Sequence, residues 1–210
     1  MANTDSYKII KKDASGEIVE KKSRFIANAF FVEDPKQAEE KIAEIGKKYW
    51  DARHNCYAYV IGASSEITKC SDNGEPSGTA GKPILEVITG AGLTNILIVV
   101  TRYFGGVLLG TGGLVRAYTQ AAQAALSNAD IGEMVYSQLL TLDIAYNMVN
   151  GVQYYLTQND IPINAQRYEA NVQYDICVED KDVDRIKSGL IQKTEGQITI
   201  IEGAKDFYLK

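Results

Sequence analysis

The hydrophobic residues at the start of the chain first alternate with polar ones and then recur every three or four positions. Residues 7–12 and 17–32 are rich in β-branched and aromatic side chains on either side of the Ser15-Gly16 pair, which predicts a β-hairpin with its turn at that pair. The Asp34-Pro35 pair then supplies an N-cap and a first-turn proline for a helix. The apolar face of this helix is formed by Ala38, Ile42, Ile45 and Tyr49.

The middle of the chain continues with strand and helix patterns. Residues 55–61 alternate as a strand does, and the polar residues 63–79 predict a loop. The most apolar segment, residues 95–103, predicts the central strand of a sheet. Helices are predicted to begin within residues 79–83 and to cover residues 114–129. In the second of these helices a small-residue face is formed by Ala117, Ala121, Ala124 and Ala125.

A new pattern begins near residue 132, and it predicts a second domain. We expect an N-terminal domain over residues 1–132 and a C-terminal domain over residues 133–210, both of the α+β class. The order βαββαβ in the second part is that of a ferredoxin-like fold. Its predicted elements are a strand at 135–146, a helix after Asn147, strands at 162–169 and 172–178, a helix opened by Asp180 or Asp182, and a strand at 197–201.

Composition agrees with two soluble domains. The 210 residues are 45% apolar and 23% charged, as in ordinary globular proteins. The longest uncharged apolar run, residues 96–101, is far shorter than the roughly 20 residues of a membrane-spanning helix. Residues 1–13 have no apolar core of the signal-peptide kind. Together with three cysteines that form no CxxC pair, these features predict a cytoplasmic protein with reduced thiols and no membrane partner.

The negative charge lies entirely in the second domain. Residues 1–132 contain 15 basic and 15 acidic side chains, whereas residues 133–210 contain 7 and 12, which gives the net charge of −5. Nucleic-acid binding depends on lysine and arginine contacts to phosphates, so only the first domain is a candidate for it. The basic residues near the N-terminus form either a solvated hairpin face or a binding patch; they are Lys8, Lys11, Lys12, Lys21, Lys22 and Arg24.

A single histidine limits the catalytic chemistry of the chain. Zinc sites and two-metal hydrolase centres usually draw on more than one imidazole, so we predict no metal. His54 and Cys56 are two positions apart, so on a strand they lie on the same face. A thiol nucleophile with an imidazole base needs that arrangement, but a small buried core cysteine gives the same pattern.

The polar loop over residues 69–83 carries a second set of candidates. Asp72 and Glu75 are either a metal-binding or acid–base pair or simply acceptors for loop backbone N–H groups. Ser77 and Thr79 precede a predicted helix N-terminus, which attracts anions.

Residues 101–116, TRYFGGVLLGTGGLVR, place five glycines between a buried strand and a helix. The spacing fits neither the P-loop nor the dinucleotide-binding fingerprint, so no cofactor is predicted. Glycines allow backbone N–H groups to converge on an anion, and flanking arginines donate charge-assisted hydrogen bonds. Together with Ser77 and Thr79, the predicted anion or nucleic-acid site consists of Arg102, Tyr103, Gly105, Gly106, Gly110, Thr111, Gly112, Gly113 and Arg116.

Five segments of the chain resemble the IMPACT/YigZ family (UPF0029) in its bacterial two-domain form. They are KKSRF (21–25), HNCYAY (54–59), SDNGEPSGTAGKP (71–83), GLTNILIVVTRYFGG (92–106) and LGTGGLVRAY (109–118). The resemblance implies an N-terminal domain with the ribosomal-protein-like βα fold of domain IV of elongation factor G, shared with GHMP kinases, and a ferredoxin-like C-terminal domain. Asn73 departs from the family pattern, which often has a second aspartate there, and this weakens a metal role for the loop.

The resemblance also implies a role in translation. Eukaryotic IMPACT proteins regulate translation through a ribosome-associated activator of a kinase, but the sequence shows no counterpart of their additional N-terminal domain, so that pathway is not expected here. One hypothesis is a non-enzymatic protein that binds RNA or the ribosome through Arg102, Arg116 and the glycine loop, with His54 and Tyr103 stacking on bases. Another is a small-molecule enzyme whose glycine loop binds phosphate and whose Asp72 or Glu75 holds Mg²⁺ or acts as a base. A third is a protein–protein adaptor.

Overall fold

The structure, a computed structural model, describes residues 5–210, so the first four residues of the segment considered for a signal peptide lie outside it. No helix within residues 5–210 is long and apolar enough to cross a membrane. The elements are β1 (Ser6–Ile10), β2 (Ala14–Glu20), β3 (Ser23–Phe31), α1 (Pro35–Lys48), β4 (His54–Ile61), β5 (Ile67–Ser71), α2 (Gly81–Gly90), β6 (Ile96–Tyr103), α3 (Gly110–Ser127), β7 (Ile131–Ile144), α4 (Val149–Gln158), β8 (Ile163–Tyr168), β9 (Val172–Glu179), α5 (Val183–Lys193) and β10 (Thr199–Leu209).

The first sheet is antiparallel and has the strand order β2-β3-β6-β4-β5. The predicted central position of the most apolar segment is confirmed, because β6 lies in the middle and is buried up to Arg102. Helices α2 and α3 pack on one face, and α1 packs on the other. Asp34 accepts a hydrogen bond from the backbone N–H of Gln37 at 2.8 Å, which confirms the predicted cap of α1.

The predicted hairpin at the N-terminus is wrong in its pairing and in its turn. Strand β2 pairs with β3, and the turn is formed by Lys21 and Lys22, with φ values of 44° and 68°. Gly16 lies inside β2, where a Cβ would be 2.4 Å from the carbonyl carbon of Ala124 in α3. Its lack of a side chain therefore permits close packing of a helix on the sheet, which is a different role from the turn that the sequence suggested.

Two further boundaries differ from the predictions. Residues 63–79, predicted as a loop, contain the edge strand β5, whose residues are nearly all exposed and so lack the alternation that identifies a half-buried strand. Helix α3 begins at Gly110, four residues earlier than predicted. Three of the five glycines of the glycine-rich segment are thus in the first turn of a helix.

The second part of the chain has the predicted βαββαβ order. Its four strands are antiparallel in the order β10-β7-β9-β8. Helices α4 and α5 bury Val152, Leu156, Ile186 and Leu190 in a common core with β7 and β9. This arrangement is ferredoxin-like and confirms the predicted α+β class.

Contacts between residues divide the chain into two units between Glu133 and Met134, inside strand β7. The sequence pattern places the division after residue 132. Strand β1 lies outside the sheet of β2 and β3. The backbone N–H of Thr94 donates to the carbonyl of Lys8 in this strand, and just after the strand the N–H of Lys11 donates to the carbonyl of Asp130.

Candidate functional site

One row of side chains crosses the first sheet where β6 ends and the glycine-rich segment begins. Arg102 lies directly opposite Phe25 on β3 and His54 on β4. Paired residues of neighbouring strands present their side chains on the same face, with Cβ atoms about 5 Å apart. The guanidinium carbon of Arg102 is 5.5 Å from the centre of the Phe25 ring and 5.6 Å from that of Phe104, distances at which a cation is attracted to an aromatic face.

Arg102 and Glu75 form a buried ion pair. Nη1 of Arg102 is 2.7 Å from Oε1 of Glu75, and the two side chains are only 8% and 4% exposed. The hydroxyl of Tyr118 donates to the same oxygen at 2.8 Å, and Sγ of Cys56 lies 3.3 Å from the Tyr118 hydroxyl. Removing one partner of such a pair would leave an uncompensated charge in the interior, so this network fixes the loop over residues 71–80 against the sheet.

Asp72 caps helix α2 from outside the helix. Its carboxylate accepts hydrogen bonds from the backbone N–H groups of Gly78, Ala80 and Gly81 at 2.8–2.9 Å, and the residue at the N-cap position, Ala80, has no side-chain acceptor. Partial burial by itself raises the pKa of Asp72, but the three N–H groups outweigh it, so the pKa lies below its usual value. Asp72 therefore satisfies loop backbone, which was the second of the two interpretations left open by the sequence.

Neither Asp72 nor Glu75 is placed to hold a metal ion. Both oxygens of Asp72 accept from backbone N–H groups, and Oε1 of Glu75 accepts from Arg102 and from Tyr118. Within residues 5–210, no group of three or more His, Cys, Asp or Glu side chains could hold a metal.

His54 and Cys56 lie on the same face of β4, but each bonds to a different backbone carbonyl. Nδ1 of His54 is 2.9 Å from the carbonyl oxygen of Asn73, and the Cys56 thiol donates to the carbonyl oxygen of Asp72 at 2.9 Å. Burial raises the pKa of Cys56 to about 12, and a thiol that stays protonated is a poor nucleophile. Cys56 is thus a buried hydrogen-bond donor, and the structure does not form the thiol–imidazole dyad.

The glycines of the second segment have several different roles. At Gly105 a Cβ would lie 2.0 Å from the carbonyl carbon of Lys22, and the N–H of Gly105 donates to Ser23 Oγ at 3.1 Å. Gly106 and Gly110 have φ values of 86° and 71°, in the left-handed region. Gly113 is buried against Leu109. The predicted anion site therefore loses one of its five glycine N–H groups, because the N–H of Gly105 already has an acceptor.

The first turn of α3 is exposed and uncapped. Leu109 at the N-cap position makes no side-chain hydrogen bond, and Gly110, Thr111 and Gly112 are exposed. The first N–H groups of a helix have no acceptor within it, and they favour negative charge nearby. This turn is the part of the predicted anion site that the structure leaves available.

The two hydroxyl residues of the predicted anion site differ in accessibility. Thr79 is buried, and its hydroxyl donates to the carbonyl of Pro76 at 2.6 Å, whereas Ser77 is exposed. Thr79 therefore stabilises the turn before α2.

A cleft of about 580 Å³ opens beside the row of Arg102. Phe104 and Leu108 at its rim are 56% and 84% exposed, and Trp50, next to the cleft residue Asp51, is 82% exposed. The hydroxyl of Tyr103 donates to Asp51 at 2.7 Å. The cleft is lined by Asp51, Ala52, Arg53, His54, Arg102, Tyr103, Phe104 and Leu108.

Four cations near the cleft and the glycine-rich segment have no carboxylate partner within residues 5–210: Lys21, Lys22, Arg53 and Arg116. The backbone of Lys22 contacts Gly105, and Nη1 of Arg116 is 3.8 Å from the position that a Cβ on Gly112 would occupy. Arg53 lines the cleft. Lys22, Arg53 and Arg116 therefore lie beside the segment from Phe104 to Gly112, and Lys21 is the chain neighbour of Lys22.

Comparison with known proteins shows which family shares the sequence segments of this site. A family model described as the Impact N-terminal domain matches residues 21–126. The chain belongs to the IMPACT family. A second model, a domain of unknown function (DUF1949), matches residues 142–197, so each domain has its own match.

Relatives in the IMPACT family differ in how much of the chain they share. It is 37% identical to IMPACT family member YvyE of Bacillus subtilis, over 94% of this chain and 91% of that protein. It is 35% identical to Protein IMPACT of Homo sapiens, over 44% of this chain and 30% of that protein. A solved structure described as the crystal structure of a hypothetical protein is 32% identical, with a TM-score of 0.62, and covers 96% of this chain and 99% of that one.

The segments that carry the IMPACT resemblance all meet at the described site. Phe25, His54, Glu75, Arg102 and Tyr118 come from the five different segments, and each contacts or pairs with another member of the set. Three residues of this surface were not predicted from the sequence: Arg53, Phe104 and Leu108. Arg53 precedes a quoted motif, and the apolar residues Phe104 and Leu108 are distinguishable from core residues only once their exposure is known.

Proposed function

We propose that this protein binds RNA, on the ribosome, through the surface of the N-terminal domain formed by the first turn of α3, the Lys21-Lys22 turn and the rim of the cleft. This role would make it a translation-associated factor, as the resemblance to eukaryotic IMPACT proteins implies. The segment that it shares with Protein IMPACT of Homo sapiens covers 44% of this chain, and the Impact N-terminal domain match ends at residue 126. The proposal therefore concerns the N-terminal domain.

The observation that carries the proposal is the set of unpaired cations around an uncapped helix N-terminus. Lys21, Lys22, Arg53 and Arg116 have no carboxylate partner among the described residues, whereas Arg24 pairs with Glu17 at 2.6 Å and Arg102 pairs with Glu75. Free cations release counterions when they meet phosphates, which is the main source of affinity for nucleic acids. Backbone N–H groups at a helix N-terminus add directional contacts to phosphate oxygens.

Exposed apolar side chains on the same surface favour single-stranded RNA. Phe104 and Leu108 stand at the rim of the cleft, and unstacked bases bind by stacking on aromatic side chains. Tyr103, which the sequence analysis also assigned to stacking, is tied to Asp51 through its hydroxyl, so we assign the stacking role to Phe104.

The role of Arg102 changes in this proposal. Because the Arg102 side chain is only 8% exposed and is paired with Glu75, it is not an outer phosphate ligand. Arg116 and the N–H groups of Gly110, Thr111 and Gly112 remain the proposed phosphate contacts. The acidic C-terminal domain would stay away from the RNA and serve to orient the protein.

Co-sedimentation with ribosomes through a sucrose cushion tests the proposal. We expect binding at low salt that weakens as salt is added, and we expect loss of most of it in the triple variant Lys21→Gln, Lys22→Gln, Arg116→Ala. Lys193→Ala removes an exposed cation of the second domain and is the matched control. The proposal is overturned if the parent protein does not sediment with ribosomes, or if the triple variant and the control sediment equally.

The alternative of a small-molecule enzyme keeps the first turn of α3 for phosphate, but its candidate catalytic residues have other partners. Asp72 caps a helix, Glu75 is paired with Arg102, and Cys56 is a protonated thiol. A thermal-shift panel of nucleotides and phosphorylated metabolites separates the two functions, because a ligand at 100 times its Kd stabilises the folded state by about 2.7 kcal/mol. A metabolite that raises the unfolding temperature without any ribosome binding would favour the enzyme.

A further inference from the structure

Arg102 offers a hydrogen-bond donor that nothing in the described structure accepts. One end of its guanidinium donates to Glu75, but the buried Nε has no partner within residues 5–210. Buried donors are nearly always paired, because an unpaired one forfeits its bond to water. Arg102 also lines the cleft, so a ligand carbonyl oxygen in the cleft could accept the hydrogen bond that Nε lacks.

His54 offers an acceptor beside that donor. Its Nδ1 lies 2.9 Å from the carbonyl oxygen of Asn73. A carbonyl oxygen only accepts, so Nδ1 carries the proton, and Nε2 of the neutral ring is an acceptor. No described residue bonds to Nε2, and His54 lies directly opposite Arg102 while lining the same cleft. The cleft thus presents a donor and an acceptor side by side.

The shape and walls of the cleft suit a single base. Its volume of about 580 Å³ is within the usual range for small-ligand sites, about 300–1,000 Å³. Phe104 lies over the guanidinium of Arg102, and the residue is 56% exposed. An outward rotation of its ring would uncover Arg102 and offer an aromatic face for stacking.

We propose that the cleft binds one unstacked nucleobase through an edge with an N–H beside a carbonyl, the edge shared by uracil and guanine. The carbonyl accepts from Arg102, and the N–H donates to Nε2 of His54. Cytosine and adenine have an unprotonated ring nitrogen and an amino group there, so an acceptor would face His54 and a donor would face Arg102. This inference rests on the RNA binding proposed above, although a free nucleotide has the same chemistry.

Fluorescence anisotropy with labelled RNA octamers tests this base preference. Oligo-uridine and oligo-cytidine differ at this edge, and we expect uridine to bind more tightly by about tenfold. An octamer of 3-methyluridine lacks the N–H and should bind as weakly as oligo-cytidine. This comparison uses the unaltered protein, so it does not depend on whether a variant folds.

Two variants locate the preference in the cleft. His54→Phe removes the acceptor but keeps a ring of similar size, and it should bring the affinities for uridine and cytidine within about twofold of each other, because the discriminating contact is lost. Arg53→Ala, the matched control, should weaken binding to both octamers equally, since a phosphate contact carries no base information.

The outcomes separate this inference from the proposed function. Equal binding of oligo-uridine and oligo-cytidine, or a preference that survives in His54→Phe, overturns the inference and leaves RNA binding in place. If no octamer and no ribosome binds, the proposed function fails, and calorimetry with UMP and CMP decides the inference. Tighter binding of UMP then identifies a free nucleotide as the ligand, and no binding of either overturns the inference as well.

Discussion

Two glycine-containing segments at the same end of the first sheet use their polar groups in opposite ways. In residues 71–81 the carboxylates are satisfied internally, Asp72 by the N-terminus of α2 and Glu75 by Arg102 and Tyr118. In residues 104–113 the first turn of α3 has no cap. Four nearby cations have no carboxylate partner among the described residues: Lys21, Lys22, Arg53 and Arg116. We call these the closed segment and the open segment.

The difference shows that composition alone does not identify a binding site. Both segments combine glycine, a hydroxyl residue and a helix N-terminus, and by sequence both are candidates for an anion. The N-terminus of α2 already has its anion, the carboxylate of Asp72, which is part of the fold. Changes in the closed segment should therefore alter stability, and changes in the open segment should alter binding.

Glu75→Ala should have the largest effect on stability. It leaves the guanidinium of Arg102 buried without its carboxylate, and breaking a buried pair in this way costs about 3–5 kcal/mol. Unfolding by urea, followed by circular dichroism, measures the loss. In the double variant Glu75→Leu, Arg102→Met both charges are absent, so most of the stability should return. A loss below about 1 kcal/mol in the single variant would show that water reaches the pair.

Gly105→Ala should be the next most damaging change, even though Gly105 lies in the open segment. Its Cβ would be 2.0 Å from backbone of Lys22, so the chain must shift, at a cost of about 3 kcal/mol. Gly112→Ala is the matched control: only Arg116 Nη1, at 3.8 Å, is near the new methyl group, and alanine favours a helix by up to about 1 kcal/mol. Equal effects at the two positions would contradict the packing role of Gly105.

Asp72→Ala should cost about 2 kcal/mol, at the upper end for loss of a helix cap, because three N–H groups lose their acceptor. Asp72→Asn retains one side-chain carbonyl and should cost less. Both values come from the same urea measurement. If the asparagine variant is as unstable as the alanine variant, the charge rather than the hydrogen bonds stabilises α2.

The contribution of Asp72 should also depend on pH. Its pKa is lower in the folded protein than the value of about 3.9 in unfolded chains, so the folded state binds this proton less tightly. The stabilisation is complete above the unfolded pKa and is lost as the pH falls through the folded one. The stability difference between the parent protein and Asp72→Asn should therefore shrink as the pH is lowered from about 6 to about 3, and a constant difference would contradict the assignment.

Arg116→Ala should have the smallest effect on stability, within about 0.5 kcal/mol, as for other exposed residues without partners. Its effect should appear in RNA binding instead, where the slope of log affinity against log salt should decrease by about one. A loss of stability larger than 1 kcal/mol, on the order of a core change, would mean that Arg116 belongs to the fold.

Local signals in the sequence predicted much of the architecture. The Asp34-Pro35 cap, the central strand β6 and the βαββαβ order all follow from residue patterns within single elements. Each depends on contacts between residues close in sequence or on a regular alternation. The resemblance to the IMPACT family is confirmed by the comparisons, and the segments that carry it meet at the candidate site.

What the sequence did not predict depends on contacts between distant residues. The sequence suggests a turn at Gly16. Glycine is needed there because α3, more than 100 positions later in the chain, packs directly against its backbone. The turn itself uses two lysines with positive φ, which sequence patterns rarely favour. Glu75 and Arg102 are 27 residues apart, so nothing local indicates that they neutralise each other in the interior.

Trp50 has a practical consequence for spectroscopy. It is the only tryptophan of the chain, it is 82% exposed, and the next residue, Asp51, lines the cleft. Light that excites indole selectively therefore probes one position next to a residue of the cleft, with no overlapping emission from an interior tryptophan. The protein carries its own optical reporter at the place where a ligand would arrive, and no dye needs to be attached to observe it.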